Sequence, residues 1–553
     1  MPKNSKAKKE KELTLIVRDK NTKEKKNIFW VILCALCKGI IIALSALAVA
    51  VSLGASFLAD NNYLGAWVGI FLFAIVLNNF KRLFLNLFYS FIVGFTFNLI
   101  LLYWIYPTVQ FGTQDQFLSY LSVFGLSALM ALQFVLFGFF YFYLKSLHWV
   151  LPLAAASLWV SLEFLHQVIA FYLFAFPWFV LGYSQFEILP LIQISSVTGV
   201  YGVSFIIIFV GFAAAGLLGK CRKRQKLLFL ISAILLFGLN FVFGKKEIHK
   251  QLDFETTYPK QIKVALMQPN THALLLLGAG EEAYSVLDKQ ALSIEGKSVE
   301  FIIWPETSLE GTFTSERNKD FLQNISKTYQ VPQLFGGSEV KDDKLYVSAG
   351  LFNEEGLADS YQKNKLVPFG EFLPFQKMLN GFYRDRGITS LTGNFSEGED
   401  LGKVFKLPIK DVYYPFGVNI CFESLFPKIW RSQAKSGAQF FINISNDGWF
   451  LKTAAPLQHL RINVFRAVEN RRPILRATTT GYNAWIDSLG KIRFRSGKLF
   501  EQETAIFDFK FQTRNKKTIY TRYGDIFALV CAFLAFSFWG VAMAFYIQEA
   551  YGE

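Results

Sequence analysis

Eight stretches of mostly apolar residues punctuate the chain, near 39–58, 63–79, 83–106, 118–144, 149–172, 198–219, 227–244 and 523–547. Each approaches the length of about 20 residues that a helix needs to cross a hydrocarbon core. Seven precede residue 245 and one follows residue 522. The pattern therefore predicts a basic N-terminal tail and interfacial edge (1–38), a membrane domain (39–244), a domain outside the membrane (245–522) and a C-terminal transmembrane helix with a short tail (523–553). Within 245–522 the period changes. QIKVALMQPN, VEFIIWPETS, VPQLFGGSEV, KLYVSAGLFN, GVNICFESL and AQFFINISND are short apolar runs bounded by turn residues, and they read as buried strands. FLQNISKTYQ and HLRINVFRAVENRR have helical spacing between them. Strands interleaved with helices predict an α/β domain, a sheet covered by helices. There is no internal repeat and no long Pro-, Gly- or Ser-rich linker.

Composition supports the membrane reading. Hydrophobic residues make up 52% of the chain, with 60 Phe, above the roughly 45–50% of ordinary globular proteins. The distribution of basic residues then sets an orientation, because cytoplasmic loops retain Lys and Arg. Residues 1–28 carry ten Lys or Arg against four acids. Lys81 and Arg82 separate the second and third segments, Lys145 the fourth and fifth, and Lys220, Arg222, Lys223, Arg224 and Lys226 the sixth and seventh, while the alternate loops have none. This places the N-terminus in the cytoplasm and carries residues 245–522 to the opposite face. Arg514, Lys516, Lys517 and Arg522 oppose that assignment only weakly, since they end a long translocated domain. The net charge of +15 thus reports membrane orientation rather than a nucleic-acid partner. No small-residue cleavage site follows the basic tail, so it reads as retained. Cys34 and Cys37 form a CxxC, but without a second pair or a histidine cluster it implies no metal or redox centre.

Buried strands deliver polar side chains at their carboxyl ends, and three unusual residues occur there. FIIWPETS ends in Glu306, YQKNKLVPFGE presents Lys363 and Glu371, and VNICFES ends in Cys421, the one cysteine between residues 245 and 522. Each alone is weak evidence, since a salt-bridged acid, a surface lysine or a buried thiol is the commoner role of such a residue. Together they fit covalent catalysis: an acid takes the thiol proton, while an ammonium lowers the thiol pKa from about 8.5 and stabilises an oxyanion. Lys363 and Lys365 fall on one face of a strand, so periodicity does not choose between them.

The order Glu, Lys, Cys in WPE, K-x-x-LVPFGE and C-F-E resembles the nitrilase, or carbon-nitrogen hydrolase, superfamily, whose fold is an αββα sandwich. PFGEFLPF, SNDGWF, RAVENRRPILRATTTG and the membrane stretch FPWFVLGYSQ followed by GVYGVSF narrow the resemblance to the apolipoprotein N-acyltransferases of the bacterial inner membrane. The resemblance implies that Glu306 is the general base, Lys363 the catalytic lysine, eight residues before the PFGE glutamate, and Cys421 the nucleophile. Glu371 and Glu423 match acids on which activity also depends. Phe422 stands where the family often has tyrosine, His166 where many relatives have arginine beyond Trp159 and Glu163, and QPNTHALLLLGAG lacks the tryptophan often found after the first strand. Phe422, Trp449, Trp178 and Tyr183 are the implied substrate contacts, Trp178 and Tyr183 lying in an aromatic segment, 174–186, suited to acyl chains or to the interfacial belt. The implied reaction moves an acyl chain from a phospholipid, phosphatidylethanolamine foremost, through a cysteine thioester to the amine of a diacylglyceryl apolipoprotein. It needs no cofactor and no metal, and it places residues 245–522 in the periplasm. A membrane-tethered amidase and a non-enzymatic lipoprotein-binding homologue are the alternatives.

Overall fold

The structure, a computed structural model, describes residues 30–551 except 32, 35, 174, 220, 258, 273, 274, 276, 277, 386–389, 391, 392 and 513–515. The basic tail before residue 30, Lys220 and Arg514 lie outside the described residues.

All eight apolar segments are helical: α1 (Leu36–Leu58), α2 (Leu64–Asn79), α3 (Leu83–Leu101), α5 (Gln116–Leu144), α6 (Leu151–Tyr172), α7 (Tyr201–Leu218), α8 (Lys223–Thr257) and α14 (Ile526–Tyr551), with a short α4 (Ile105–Thr113) after α3. Seven are long and apolar enough to cross a membrane. The eighth, α2, has 16 residues and spans about 24 Å at 1.5 Å per residue, short of a roughly 30 Å hydrocarbon core. The expected count of eight crossings therefore rests on α2. Apolar side chains such as Phe84, Phe88, Leu121, Phe533 and Phe536 point outward, as lipid contact requires. Small residues let the helices approach: a Cβ on Gly94 of α3 would come within 2.8 Å of Phe134 on α5.

The sandwich begins at β1 (Lys260–Gln268), so the helix that starts at Lys223 runs past the boundary expected at residue 244. Two six-stranded sheets follow. The first has the order β12 (Glu503–Phe511), β1, β2 (Phe301–Ile303), β3 (Gln333–Lys341), β4 (Lys344–Asn353), β5 (Gly356–Gln362). The second runs β11 (Ile492–Arg495), β10 (Ala484–Ile486), β9 (Ile474–Thr478), β8 (Phe440–Ser445), β7 (Val412–Ile420), β6 (Phe405–Ile409). Alternation along β1 shows the layering: Ile262, Val264 and Leu266 join Val418, Ile420 and Ile442 between the sheets. Ala265 and Met267 face the outer helices α9 (Gly280–Leu292) and α10 (Glu316–Tyr329) with Leu287 and Leu322. The second sheet is covered by α12 (Pro427–Lys435) and α13 (Ala455–Asn470), and α11 (Gln376–Asp385) lies in the connection between the sheets. The result is the αββα sandwich.

Every residue of α13 is buried, because the helix sits between the second sheet and the membrane bundle. Its polar residues bond the bundle directly. Gln458 accepts from the indoles of Trp104 (3.2 Å) and Trp178 (2.7 Å), Arg461 donates to the Ser56 carbonyl (3.1 Å), and Glu469 accepts from the Val200 N–H (3.1 Å). Arg495 pairs with Asp60 in the α1–α2 turn at 2.9 Å. At the other end of α2, Lys145 donates to the carbonyls of Leu77 (3.3 Å) and Phe80 (2.7 Å). The α1–α2 turn thus meets the sandwich, whereas Lys81, Arg82 and Lys145 cluster at the far end of the bundle.

Candidate active site

Glu306 follows β2, Lys363 follows β5 and Cys421 follows β7, so the carboxyl ends of strands from both sheets bring them together. The Lys363 ammonium is fully buried, 3.1 Å from Glu306 Oε1 and 2.6 Å from Glu371 Oε1. The second Glu306 oxygen accepts the Asn446 backbone N–H at 2.9 Å, and the Glu306 carbonyl accepts the Thr479 hydroxyl at 2.9 Å. Gly336 on β3 makes room for this loop, since a Cβ there would stand 2.7 Å from Glu306 Cα. Cys421 sits at φ +48° in the turn where β7 ends, an uncommon conformation for a non-glycine residue that turns its side chain out of the sheet.

The electrostatics correct one expectation. Burial and the Glu306 carboxylate push the Cys421 thiol above its ordinary pKa, and the opposing influences of Lys363 and Ser445 do not overcome them. A thiol shifted in that direction holds its proton, so attack by its sulfur would need a base to take it. Burial also penalises the Lys363 charge, but Glu306 and Glu371 outweigh it and hold the ammonium above the usual lysine value. Burial, assisted by Glu306, raises Glu371 against the pull of Lys363.

Glu423 ties the two halves of the site together. One oxygen accepts the Tyr361 hydroxyl (2.8 Å) and the Asn364 N–H (2.6 Å), next to Lys363, and the other accepts the Ile420 N–H (2.8 Å), next to Cys421. Burial pushes its carboxyl up to about 7. Glu423→Ala would leave three buried donors without an acceptor, at about 1–3 kcal/mol each. The expected outcome is a fall of about 3 kcal/mol or more in stability, with slowed acylation of Cys421, measured by thermal melting in detergent and by acyl-enzyme yield. Glu423→Gln should lose less.

Residues 49–213 match the apolipoprotein N-acyltransferase N-terminal domain, and residues 263–515 match the carbon-nitrogen hydrolase family. The apolipoprotein N-acyltransferase of Geobacter metallireducens is 32% identical over 387 residues, which cover 68% of this chain and 71% of that protein. The chain belongs to the apolipoprotein N-acyltransferase family. Apolipoprotein N-acyltransferase 1 of Treponema denticola is 29% identical over 68% of this chain and 74% of its own length. Among solved structures, Saccharomyces cerevisiae Nit3, a member of branch 10 of the nitrilase superfamily, is 22% identical over 45% of this chain and 90% of its own, with a TM-score of 0.32.

The aromatic residues singled out from this family's motifs divide between the site and the interior. Phe422, the residue after Cys421, stacks on Phe176 (centroids 5.8 Å apart) and lines a cavity of about 330 Å³. Trp449 packs edge-on against His272 at 5.1 Å, so an imidazole fills the stretch that lacks a tryptophan. Burial lowers that histidine to about 4. Trp178 and Tyr183 are instead buried between bundle and sandwich, with the Tyr183 hydroxyl accepting from Arg466 at 3.1 Å. Glu163 accepts from the Trp159 indole and the Leu181 N–H, both at 2.8 Å, and so fixes the chain at Leu181 rather than pairing with His166.

Beneath Cys421 lies a layer whose aspartate belongs to the SNDGWF motif but whose histidine and arginine the sequence reading did not single out. His459 Nε2 lies 2.6 Å from Ser424 Oγ and 3.1 Å from the Cys421 carbonyl, while Nδ1 faces Asp447 Oδ1 at 3.2 Å. Asp447 is bound in turn by Arg476 (2.8 Å) and Ser445 (2.8 Å). Burial and Arg476 keep the imidazole below the ordinary histidine pKa. His459 stands among the polar residues of α13 and Arg476 in an apolar strand, and nothing local ties either to Cys421.

Proposed function

We propose that this protein transfers an acyl chain from a phospholipid, phosphatidylethanolamine in particular, through a thioester on Cys421 to the α-amine of a lipoprotein's N-terminal diacylglyceryl cysteine. The observation that carries the reading is the convergence of Glu306, Lys363 and Cys421 at strand ends, in a sandwich whose helical layer is built into a membrane-length bundle. In the first half-reaction Glu306 takes the thiol proton as sulfur attacks the ester carbonyl. The Lys363 ammonium stabilises the oxyanion. Collapse forms the thioester and expels the lysophospholipid alkoxide, which takes its proton from Glu306. In the second half-reaction the α-amine attacks the thioester carbon, Glu306 accepts the amine proton, and the thiolate leaves and is reprotonated as the amide forms. Glu371 holds Lys363 in place, and Glu423 fixes its distance from Cys421. Two lipid-anchored substrates reach such a site by diffusion within one membrane.

The test is a two-stage assay. Enzyme charged with acyl-labelled phospholipid and freed of lipid should pass the label to a diacylglyceryl-cysteine peptide as an amide, with ping-pong kinetics. Label released only as free fatty acid, with the peptide unmodified, would favour a hydrolase.

The same reading places the protein in the bacterial inner membrane with a cytoplasmic N-terminus and a periplasmic sandwich, because the basic loops lie at the end of the bundle remote from the sandwich. In intact spheroplasts an external protease should cut sites within 260–520 and leave the tail before residue 28 intact. External cleavage of that tail would overturn the orientation.

A further inference from the structure

Phe171 and Tyr172 in the last turn of α6 gather Lys428 of α12 and Lys365 into a basic and aromatic cluster at the cavity that Phe422 lines. The Lys428 ammonium lies 4.3 Å from the Phe171 ring centroid and 4.9 Å from that of Tyr172, and donates to the Tyr172 hydroxyl at 2.9 Å. No carboxylate lies within ion-pair distance of it among the described residues, and Asp525 feels its charge only from farther off. Lys365 approaches Phe171 at 4.8 Å and shares its charge with Glu397 at 3.2 Å. Two ammonium groups on one ring against one carboxylate leave a net positive seat, and the rings hold the ammonium groups without neutralising them. Tyr172, Phe422, Phe426, Asn394 and Glu397 line the cavity behind it. Tyr172 also ends a membrane-length helix, the level at which lipid headgroups lie.

We infer that Lys428 and Lys365, with the Tyr172 hydroxyl, seat the phosphodiester of the lipid donor. Lysine binds phosphate as a point charge through charge-assisted hydrogen bonds. In a glycerophospholipid the acyl ester is a few bonds from the phosphorus, so a phosphate held at the mouth directs the ester past Phe422 toward Cys421. The inference rests on the acyl-transfer reading and adds to it the group that recognises the donor.

The experiment compares a phospholipid donor with an uncharged p-nitrophenyl acyl ester in wild type, Lys428→Ala, Lys428→Glu and Lys428→Arg. Lys428→Ala should raise the KM for the phospholipid about ten-fold, as loss of one charge-assisted hydrogen bond does. Lys428→Glu should raise it further and Lys428→Arg should restore most of the loss. Thioester formation from the uncharged ester, which has no phosphate to seat, should be equal in all four and reports that each variant is folded. An unchanged phospholipid KM, or equal losses with both donors, would overturn the assignment. Millimolar inorganic phosphate should not compete in wild type; competition that disappears in Lys428→Ala would make this a free-phosphate site and overturn the lipid assignment. Failure of the acyl-transfer reading is distinct, since wild type would then form no thioester from either donor.

Discussion

Cys421→Ala, and equally Cys421→Ser, should form no acyl-enzyme and lose at least about 10⁴-fold in turnover, because the covalent intermediate cannot form without the sulfur. Serine keeps the shape, but its hydroxyl is far harder to deprotonate, and the site already pushes even the thiol upward through burial and Glu306. A variant lacking the other four cysteines should remain active. Cys34 and Cys37 are exposed near the start of α1, Cys221 lies in the α7–α8 connection, and Cys531 is packed inside α14. None stands beside an acid and an ammonium together. The comparison is made by trapping the labelled acyl-enzyme in both variants, with thermal melting to confirm folding. An inactive but folded four-cysteine variant would contradict the assignment. The resting thiol adds a further expectation: alkylation of Cys421 by iodoacetamide should be slow at neutral pH and should accelerate as pH rises.

Lys363→Ala should cost about 10²- to 10³-fold in the rate of thioester formation, the usual effect of removing one oxyanion donor. It also strips a buried cation from between two carboxylates at 3.1 and 2.6 Å, so Glu306 and Glu371 would repel each other across the gap. Lys363→Arg keeps the charge but requires space for a planar fork in a fully buried position, and it should also be severely impaired. Lys365 provides the contrast. It is partly exposed, bonded to Glu397, and turned to the ring of Phe171. Lys365→Ala should keep kcat and show its loss in the donor KM. Single-turnover acylation at saturating donor separates the two lysines. A dead Lys365→Ala beside a normal Lys363→Ala would invert the register on which the mechanism is built.

The parts of this structure legible in the sequence are those in which local pattern and burial agree. The apolar segments declare helices because lipid and core both demand apolar surface, and VALM, FII and FFINIS declare central strands because both of their faces are buried. The carboxyl ends of those strands also carry the reactive residues. Edge and half-exposed strands were less visible: β11, IRFR, alternates between half-buried and exposed positions, and β6 contains Pro408. The polar interior of α13 was not legible at all. Gln458, Arg461, Arg466 and Glu469 look like a solvated face, yet they are buried against partners some 270 to 400 residues away in the sequence. The bonding of His459 and Arg476 to Asp447 was hidden for the same reason, because it depends on contacts made across separate strands and helices. Trp178 and Tyr183 looked like substrate contacts because an aromatic segment near a membrane surface suits an acyl chain, and only packing distinguishes that role from an internal joint.

The most direct test of the account is to identify the acylated atom. Purified full-length protein incubated with acyl-labelled phospholipid, quenched in acid and digested, should yield the Cys421 peptide carrying one acyl group. Hydroxylamine should release that group as a thioester does, and addition of a diacylglyceryl-cysteine peptide before the quench should move it to the peptide's α-amine. An unmodified Cys421 in protein that still acylates the peptide, or an acyl group on any other residue that the peptide discharges, would contradict the account.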